Sequence, residues 1–270
     1  MGHTHLILGA GRMGGALLKG WIGGRKPVVA PANIAILDPK PGEDAKAVIE
    51  AGAAHISTLE SAMDDLEHVI IAIKPQMFDA IAPTIEGFIP KGALVTSIMA
   101  GVSLARLAAA FPERPLVRAM PNTPAAIGAG MTAFTASPSV SKEQKRDVKR
   151  LVKAAGRVEE VASEHKSDVV TSVSGSGPAY VFYMVEALEA AALDAGMPAD
   201  IAPLFARETI IGAGELLKQS DQPASDLRVA VTSPNGTTQA ALDVLMSENG
   251  LAPLMKQTVR AALKRAKELS

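Results

Sequence analysis

Two glycine-containing segments, at opposite ends of the chain, carry the clearest chemistry. Near the start, Leu6-Ile7-Leu8 runs into Gly9-Ala10-Gly11-Arg12-Met13-Gly14. An apolar run, a Gly-x-Gly-x-x-Gly turn and an amphipathic stretch, in that order, make a cradle for a dinucleotide pyrophosphate. The glycines let the backbone turn tightly and approach the phosphates, while the following helix N-terminus faces their charge. Near the end, Val231-Thr232-Ser233-Pro234-Asn235-Gly236-Thr237-Thr238 opens another helical stretch. The free N–H groups of Asn235 to Thr238 offer a place for a carboxylate, with hydroxyls beside it. A plainer reading makes Thr237 or Thr238 the N-cap of that helix. On the chemical reading, one segment holds a cofactor and the other a small acid for it to reduce.

Other residues fall where strands should end. Asp38 closes the second apolar run, where a carboxylate accepts adenosine ribose hydroxyls and favours NADH. Lys40 offers a partner for a 2′-phosphate instead, and Asp38-Pro39 also reads as a simple turn start, so NADPH and NADH both stay open. Ala72-Ile73-Lys74-Pro75, Met99-Ala100-Gly101 and Arg118 to Pro124 each follow an apolar run. In open α/β sheets ligands bind outside such carboxyl ends. Ser174 to Gly177 precedes a helix and exposes backbone, though close helix packing would also explain its glycines. The five histidines form no set with carboxylates that suits a metal. Met184, Met197, Met246 and Met255 read as core fillers.

Apolar runs and helical patterns alternate through the first 160 or so residues to position these groups. Strands are expected at Thr4–Leu8, Asn33–Leu37, His68–Ile73, Ala93–Ser97 and Leu116–Met120, with weaker ones at Met131–Thr135 and Arg157–Val161. Helices are expected at Met13–Trp21, Ala45–Ala51, Gln76–Ile81, Leu104–Ala110 and Lys142–Ala155. That alternation predicts a doubly wound, mostly parallel sheet with helices on both faces. After about residue 162 only helical stretches remain, the first from Ala179 to Ala195 with Gly196 as its stop. The reading is an α/β dinucleotide-binding domain over 1–161 and an all-helical domain over 162–270.

Composition narrows the function. The chain has 270 residues, 48% of them hydrophobic and 20% charged, with a net charge of −1, as in ordinary globular proteins. The near-neutral balance argues against a nucleic-acid partner. The basic run Lys142 to Arg150 reads as one solvated helix face. With no cysteine, disulfides and thiolate chemistry are excluded. The first strand begins almost at Met1, so no secretory signal is expected, and no stretch reads as a membrane span. These features suggest a cytoplasmic protein.

Taken together, the segments resemble the pyrroline-5-carboxylate reductase family over nearly the whole chain. The resemblance rests on Gly9 to Gly14, Ala72-Ile73-Lys74-Pro75-Gln76, Met120-Pro121-Asn122-Thr123-Pro124, Val173 to Tyr180 and Val231 to Thr238. It implies a Rossmann domain followed by a helical dimerisation domain, in a homodimer that often belongs to a larger ring. Each active site would combine one subunit's cofactor with the other's helices. The reaction would be hydride transfer from NADPH or NADH to the C=N carbon of Δ1-pyrroline-5-carboxylate, a cyclic imino acid, giving L-proline. Gly9, Ala10, Gly11, Arg12, Met13 and Gly14 would cradle the cofactor phosphates. Ala72, Ile73, Lys74, Pro75, Met99, Ala100 and Gly101 would flank its ribose and nicotinamide. Gly236, Thr237 and Thr238, with Ser233, would hold the substrate carboxylate, and the Thr238 hydroxyl would meet the ring nitrogen as the catalytic contact. Glu164 matches an acidic position near the substrate.

Three positions depart from the family pattern. Asn235 stands where a glycine is usual, Ala230 where an Asn is frequent, and Asp38 where residues suited to NADPH are common. A cyclic imine reductase of other substrate, or a dinucleotide sensor without turnover, are the alternatives. A β-hydroxyacid dehydrogenase would need a lysine on the first long helix of its second domain, and Ala179 to Ala195 has none.

Overall fold

The computed structural model describes residues 2–59 and 63–269. Short aliphatic runs form the strands β1 (His5–Leu8), β2 (Ile34–Leu37), β3 (Ala54–Ile56), β4 (His68–Ile71), β5 (Leu94–Ser97), β6 (Leu116–Met120), β7 (Gly130–Ala136) and β8 (Gly156–Glu160). Among the described residues they make one sheet of order β3-β2-β1-β4-β5-β6-β7-β8. Every neighbouring pair is parallel except β6 and β7. β1, β2, β4 and β5 are buried at every residue, as parallel strands covered on both faces must be.

The covering helices are α1 (Arg12–Ile22), α2 (Glu43–Glu50), α3 (Phe78–Ile85), α4 (Leu104–Ala110) and α5 (Lys142–Lys153), followed by α6 (Glu164–Val170). Alternation along β1 divides its side chains between two apolar cores. Ile7 joins Leu17 and Trp21 of α1 and Leu151 of α5. Leu6 and Leu8 join Phe78 of α3 and Phe111 after α4. Trp21 also donates its indole N–H to the Leu151 carbonyl at 2.9 Å, tying α1 to α5. The strand order reverses between β2-β1 and β4-β5, which opens a crevice at the carboxyl ends of β1 and β4. This is the Rossmann arrangement that the alternating pattern predicts.

The structure corrects some local readings. β3 was not expected: it is a three-residue edge strand, none of it fully buried, so no apolar run marks it. β4 stops at Ile71, because Ala72 and Ile73 leave the sheet toward the crevice. The helix expected over Gln76–Ile81 is a 3-10 turn, Pro75–Met77, followed by α3. α6 runs into a single π-helical turn, Thr171–Gly175, a form frequent at functional sites.

The chain divides into two compact units, one running to Gly175 and including the residues from Leu263 onward, the other Ser176–Ala262. The second unit is helical. It contains α7 (Gly177–Asp194), α8 (Ala202–Gln219), α9 (Ala224–Ala230), α10 (Thr237–Leu245) and most of α11 (Leu251–Leu269). Pro178 lies in the first turn of α7, where its missing N–H costs nothing. Gly196, at φ 92°, ends that helix: its N–H meets the Leu193 carbonyl and the Met197 N–H meets Ala192. No residue of α7 is buried; Phe182 is 62% exposed and Tyr183 69%. Among the described residues, no helix is long and apolar enough to cross a membrane.

Candidate functional site

The glycine-rich turn joins β1 to α1, and its three glycines meet three different constraints. Gly9 has φ 88°, and a Cβ there would lie 2.8 Å from the Ala72 backbone. A Cβ on Gly14 would lie 2.2 Å from the Gly9 carbonyl oxygen, so a side chain would drive the helix off the turn. A Cβ on Gly11 would meet nothing within 4 Å. Gly11 is the N-cap of α1 and no side chain caps that helix, so its first N–H groups face open space. That is the cradle a pyrophosphate needs: the first and third glycines shape the turn, and the second leaves room for the ligand.

A cleft of about 500 Å³ opens beside the turn, lined among others by Gly9, Gly11, Asp38, Thr58, Ile73 and Lys74. Its floor is held by the sheet: the Ala72 N–H donates to Leu8 at 2.7 Å and the Gly9 N–H to Leu37 at 3.0 Å. Asp38 is bonded on both oxygens. Oδ2 accepts the Ala10 N–H at 2.6 Å and Oδ1 the Lys40 N–H at 2.7 Å. His55 meets only the Asp38 main-chain carbonyl, at 2.8 Å. The two other rim segments diverge in exposure. Lys74 is exposed at the start of its 3-10 turn, whereas Met99 is 2% exposed and Ala100 and Gly101 carry the chain outward.

Beside this rim lies a buried charge cluster whose joint role the sequence reading missed. Arg118, 2% exposed on β6, donates to Asp168 Oδ1 at 2.9 Å and to Glu164 Oε1 at 3.3 Å. The same Glu164 oxygen accepts the Leu104 N–H at 2.8 Å, at the start of α4. Glu164 therefore links α6 to the segment that follows Met99–Gly101. Asn122 makes a second link: its amide donates to the Ser174 carbonyl at 3.0 Å and accepts from the Met131 N–H at 2.8 Å. An arginine three residues before Pro121 and an aspartate four after Glu164 look unremarkable in sequence. Only the topology brings them together.

In the second unit, Ser233 to Gly236 form a turn closed by the Gly236 N–H to the Ser233 carbonyl at 3.0 Å. Asn235 takes φ 58°, the left-handed conformation for which it is among the better non-glycine residues. A Cβ on Gly236 would lie 2.3 Å from Ser233 Oγ. Gly236 is itself the N-cap of α10, and no side chain caps that helix. Thr237 and Thr238 are thus its first two helical residues, which corrects the plainer reading of either as a cap. The Ala240 N–H is the first to reach back, to Gly236 at 3.2 Å. The N–H groups of Thr237, Thr238 and Gln239 are left pointing off the helix start, with the Thr238 hydroxyl beside them. Among the described residues no group of three or more His, Asp or Glu is arranged to hold a metal.

Comparison with known proteins follows the same two segments. A family model described as pyrroline-5-carboxylate reductase dimerisation matches residues 164–269, and one described as NADP oxidoreductase coenzyme F420-dependent matches residues 5–101. A pyrroline-5-carboxylate reductase of Synechocystis sp. is 43% identical over 203 residues, 75% of each chain. That of Pseudomonas aeruginosa is 34% identical across 98% of this chain and 96% of its own. Among solved structures, the pyrroline-5-carboxylate reductase of Coxiella burnetii superposes with a TM-score of 0.89 at 31% identity, covering 100% of this chain and 99% of its own. The Plasmodium falciparum reductase, solved with NADP bound, gives 0.80 at 26% identity, covering 99% and 98%.

Proposed function

Because the chain belongs to the pyrroline-5-carboxylate reductase family, we propose that the two glycine segments divide its reaction between them. The enzyme reduces Δ1-pyrroline-5-carboxylate to L-proline with NAD(P)H, the last step of proline biosynthesis. A bound nicotinamide would supply the hydride that the imine carbon receives as the C=N electron pair moves onto nitrogen.

The residues do the holding. Gly9 and Ala10 shape the turn, the free N–H groups from Gly11 to Gly14 at the start of α1 take the pyrophosphate, and Asp38 takes the adenosine ribose. Ala72 to Pro75 and Met99 to Gly101 bound the ribose and nicotinamide. The turn from Ser233 to Gly236 presents the free N–H groups of Thr237 and Thr238, which hold the substrate carboxylate at the positive end of α10 with Ser233 and Gly236 beside it. Thr238 Oγ1 then accepts the hydrogen bond of the protonated ring nitrogen. Glu164, braced by Arg118, fixes the edge of the site. A protonated imine is already electrophilic, so no separate acid is required. No cysteine exists, and His5 and His68 sit at the strands' amino ends, opposite the glycine turn. What remains is orientation, worth on the order of 7–11 kcal/mol in the best aligned systems.

The observation that carries this reading is the helix start at Gly236, shaped for an anion and left uncapped by any side chain. We infer further that the functional boundary falls at 161/162 and that the active species is a homodimer, built into a larger ring. We place it in the cytoplasm, with no nucleic-acid partner. The test is oxidation of NADH or NADPH by the purified protein on addition of pyrroline-5-carboxylate. Turnover with at least one cofactor is expected; none with either, from folded protein, would overturn the assignment.

A further inference from the structure

We propose that Asp38 makes this enzyme select NADH and reject NADPH; the inference rests on the nucleotide site proposed above. Asp38 follows β2, where the adenosine ribose lies in this fold, and lines the cleft beside Gly9 and Gly11. Its carboxylate is not free to swing away. Ala10 and Lys40 clamp one oxygen each through main-chain N–H groups at 2.6 and 2.7 Å. A carboxylate has about four acceptor positions, so each oxygen keeps one for a ligand. Ribose 2′ and 3′ hydroxyls have protons to donate there. A 2′-phosphate brings roughly −1.5 to −2 charge at pH 7 and meets a fixed anion instead.

Cations nearby pull the other way, and their placement decides the outcome. The Arg12 and Lys40 side chains are exposed and make no hydrogen bond or ion pair among the described residues. Ordering either flexible stem against a 2′-phosphate costs side-chain entropy, whereas the clamped carboxylate needs no such ordering. Lys74 lines the same cleft but follows β4, on the other side of the order reversal from β2. The clamped carboxylate is the charge in a defined position at the ribose, so it dominates. The same clamp gives Asp38 a second task, because it anchors the Ala10 peptide and so the phosphate turn itself.

ADP-ribose and its 2′-phosphorylated form, titrated calorimetrically, test this without substrate or hydride transfer. The wild type should bind ADP-ribose at least about tenfold more tightly, and Asp38→Asn should shrink the ratio to about threefold or less. Asp38→Ser supplies the same reading should the amide variant fail to fold. A wild-type ratio near one, a preference for the phosphorylated ligand, or an unchanged ratio in a folded variant overturns the proposal. Failure of the folded wild type to bind either nucleotide overturns the nucleotide site and this inference with it. A selective site in a protein with no pyrroline turnover would sink only the reductase reading.

Discussion

Thr238 carries a hydroxyl with no hydrogen-bond partner among the described residues, on the second residue of α10. Thr232, six residues earlier, instead donates to the Arg228 carbonyl at 2.6 Å and so serves the end of α9. Removing the Thr238 hydroxyl deprives the fold of nothing. Thr238→Ala is therefore expected to lower kcat/KM by about 10–100-fold, the worth of one charge-assisted hydrogen bond, while stability stays within about 0.5 kcal/mol. Steady-state kinetics beside urea unfolding separates the two effects; lost stability with intact turnover would make Thr238 a helix residue only. The types and spacing from Ser233 to Thr238 made a helix start there legible in the sequence alone. Which residue caps the helix was not legible, because capping depends on backbone angles. Asn235 at φ 58° delivers Gly236, in extended conformation, to the N-cap position. Asp38 was equally visible as a carboxylate at a strand end, but its bond to Ala10 spans 28 residues and needs the β1–β2 pairing to exist.

At the scale of elements, β1, β4 and β5 were plain because continuous aliphatic runs admit little else. β3 and the π-turn were not, since a partly exposed tripeptide and one extra residue per turn leave no periodic trace. The amino edge of the same sheet holds a feature that pattern reading passed over. His5 and His68 are directly paired across β1 and β4, 8% and 4% exposed, and His68 meets Thr96 Oγ1 at 2.7 Å. Burial, and then the Arg150 guanidinium, push His5 down to about 4; burial, then His5, then Arg150, push His68 down to about 3. Both lie below the unfolded value near 6.5, so the unfolded chain takes up these protons first. Their contribution is fully present above pH 6.5. It is lost as pH falls toward 4, at up to about 1.4 kcal/mol per pH unit for each ring. Thermal unfolding at pH 7 and pH 5 should show this loss in the wild type and a flatter profile in His68→Gln. Equal slopes would refute it.

For the whole molecule, the two units differ in how much of themselves they cover. The sheet unit buries two apolar cores. In the helical unit only Ala202 and Ala206 are buried hydrophobics, while Phe182, Tyr183, Leu204, Phe205 and Val244 are all more than half exposed. Exposed apolar surface on that scale marks a contact with another protein, and the dimerisation family model covers this part of the chain. Phe182→Asp should shift the protein to a smaller species in sedimentation velocity, with turnover falling alongside; an unchanged sedimentation coefficient would show that this face of α7 is not the covered one. The all-helical character of this region was legible from uninterrupted helical periodicity. Its need for a partner came from the family resemblance and not from periodicity, because an apolar face reads the same whether its own chain or another covers it. The arrangement also sets an order of events during synthesis. Translation proceeds at roughly 5–20 residues per second and units tend to fold as they emerge, so nearly all of the sheet unit is available before α7 leaves the ribosome. The exposed apolar surface is thus made last, after most of the sheet unit has emerged.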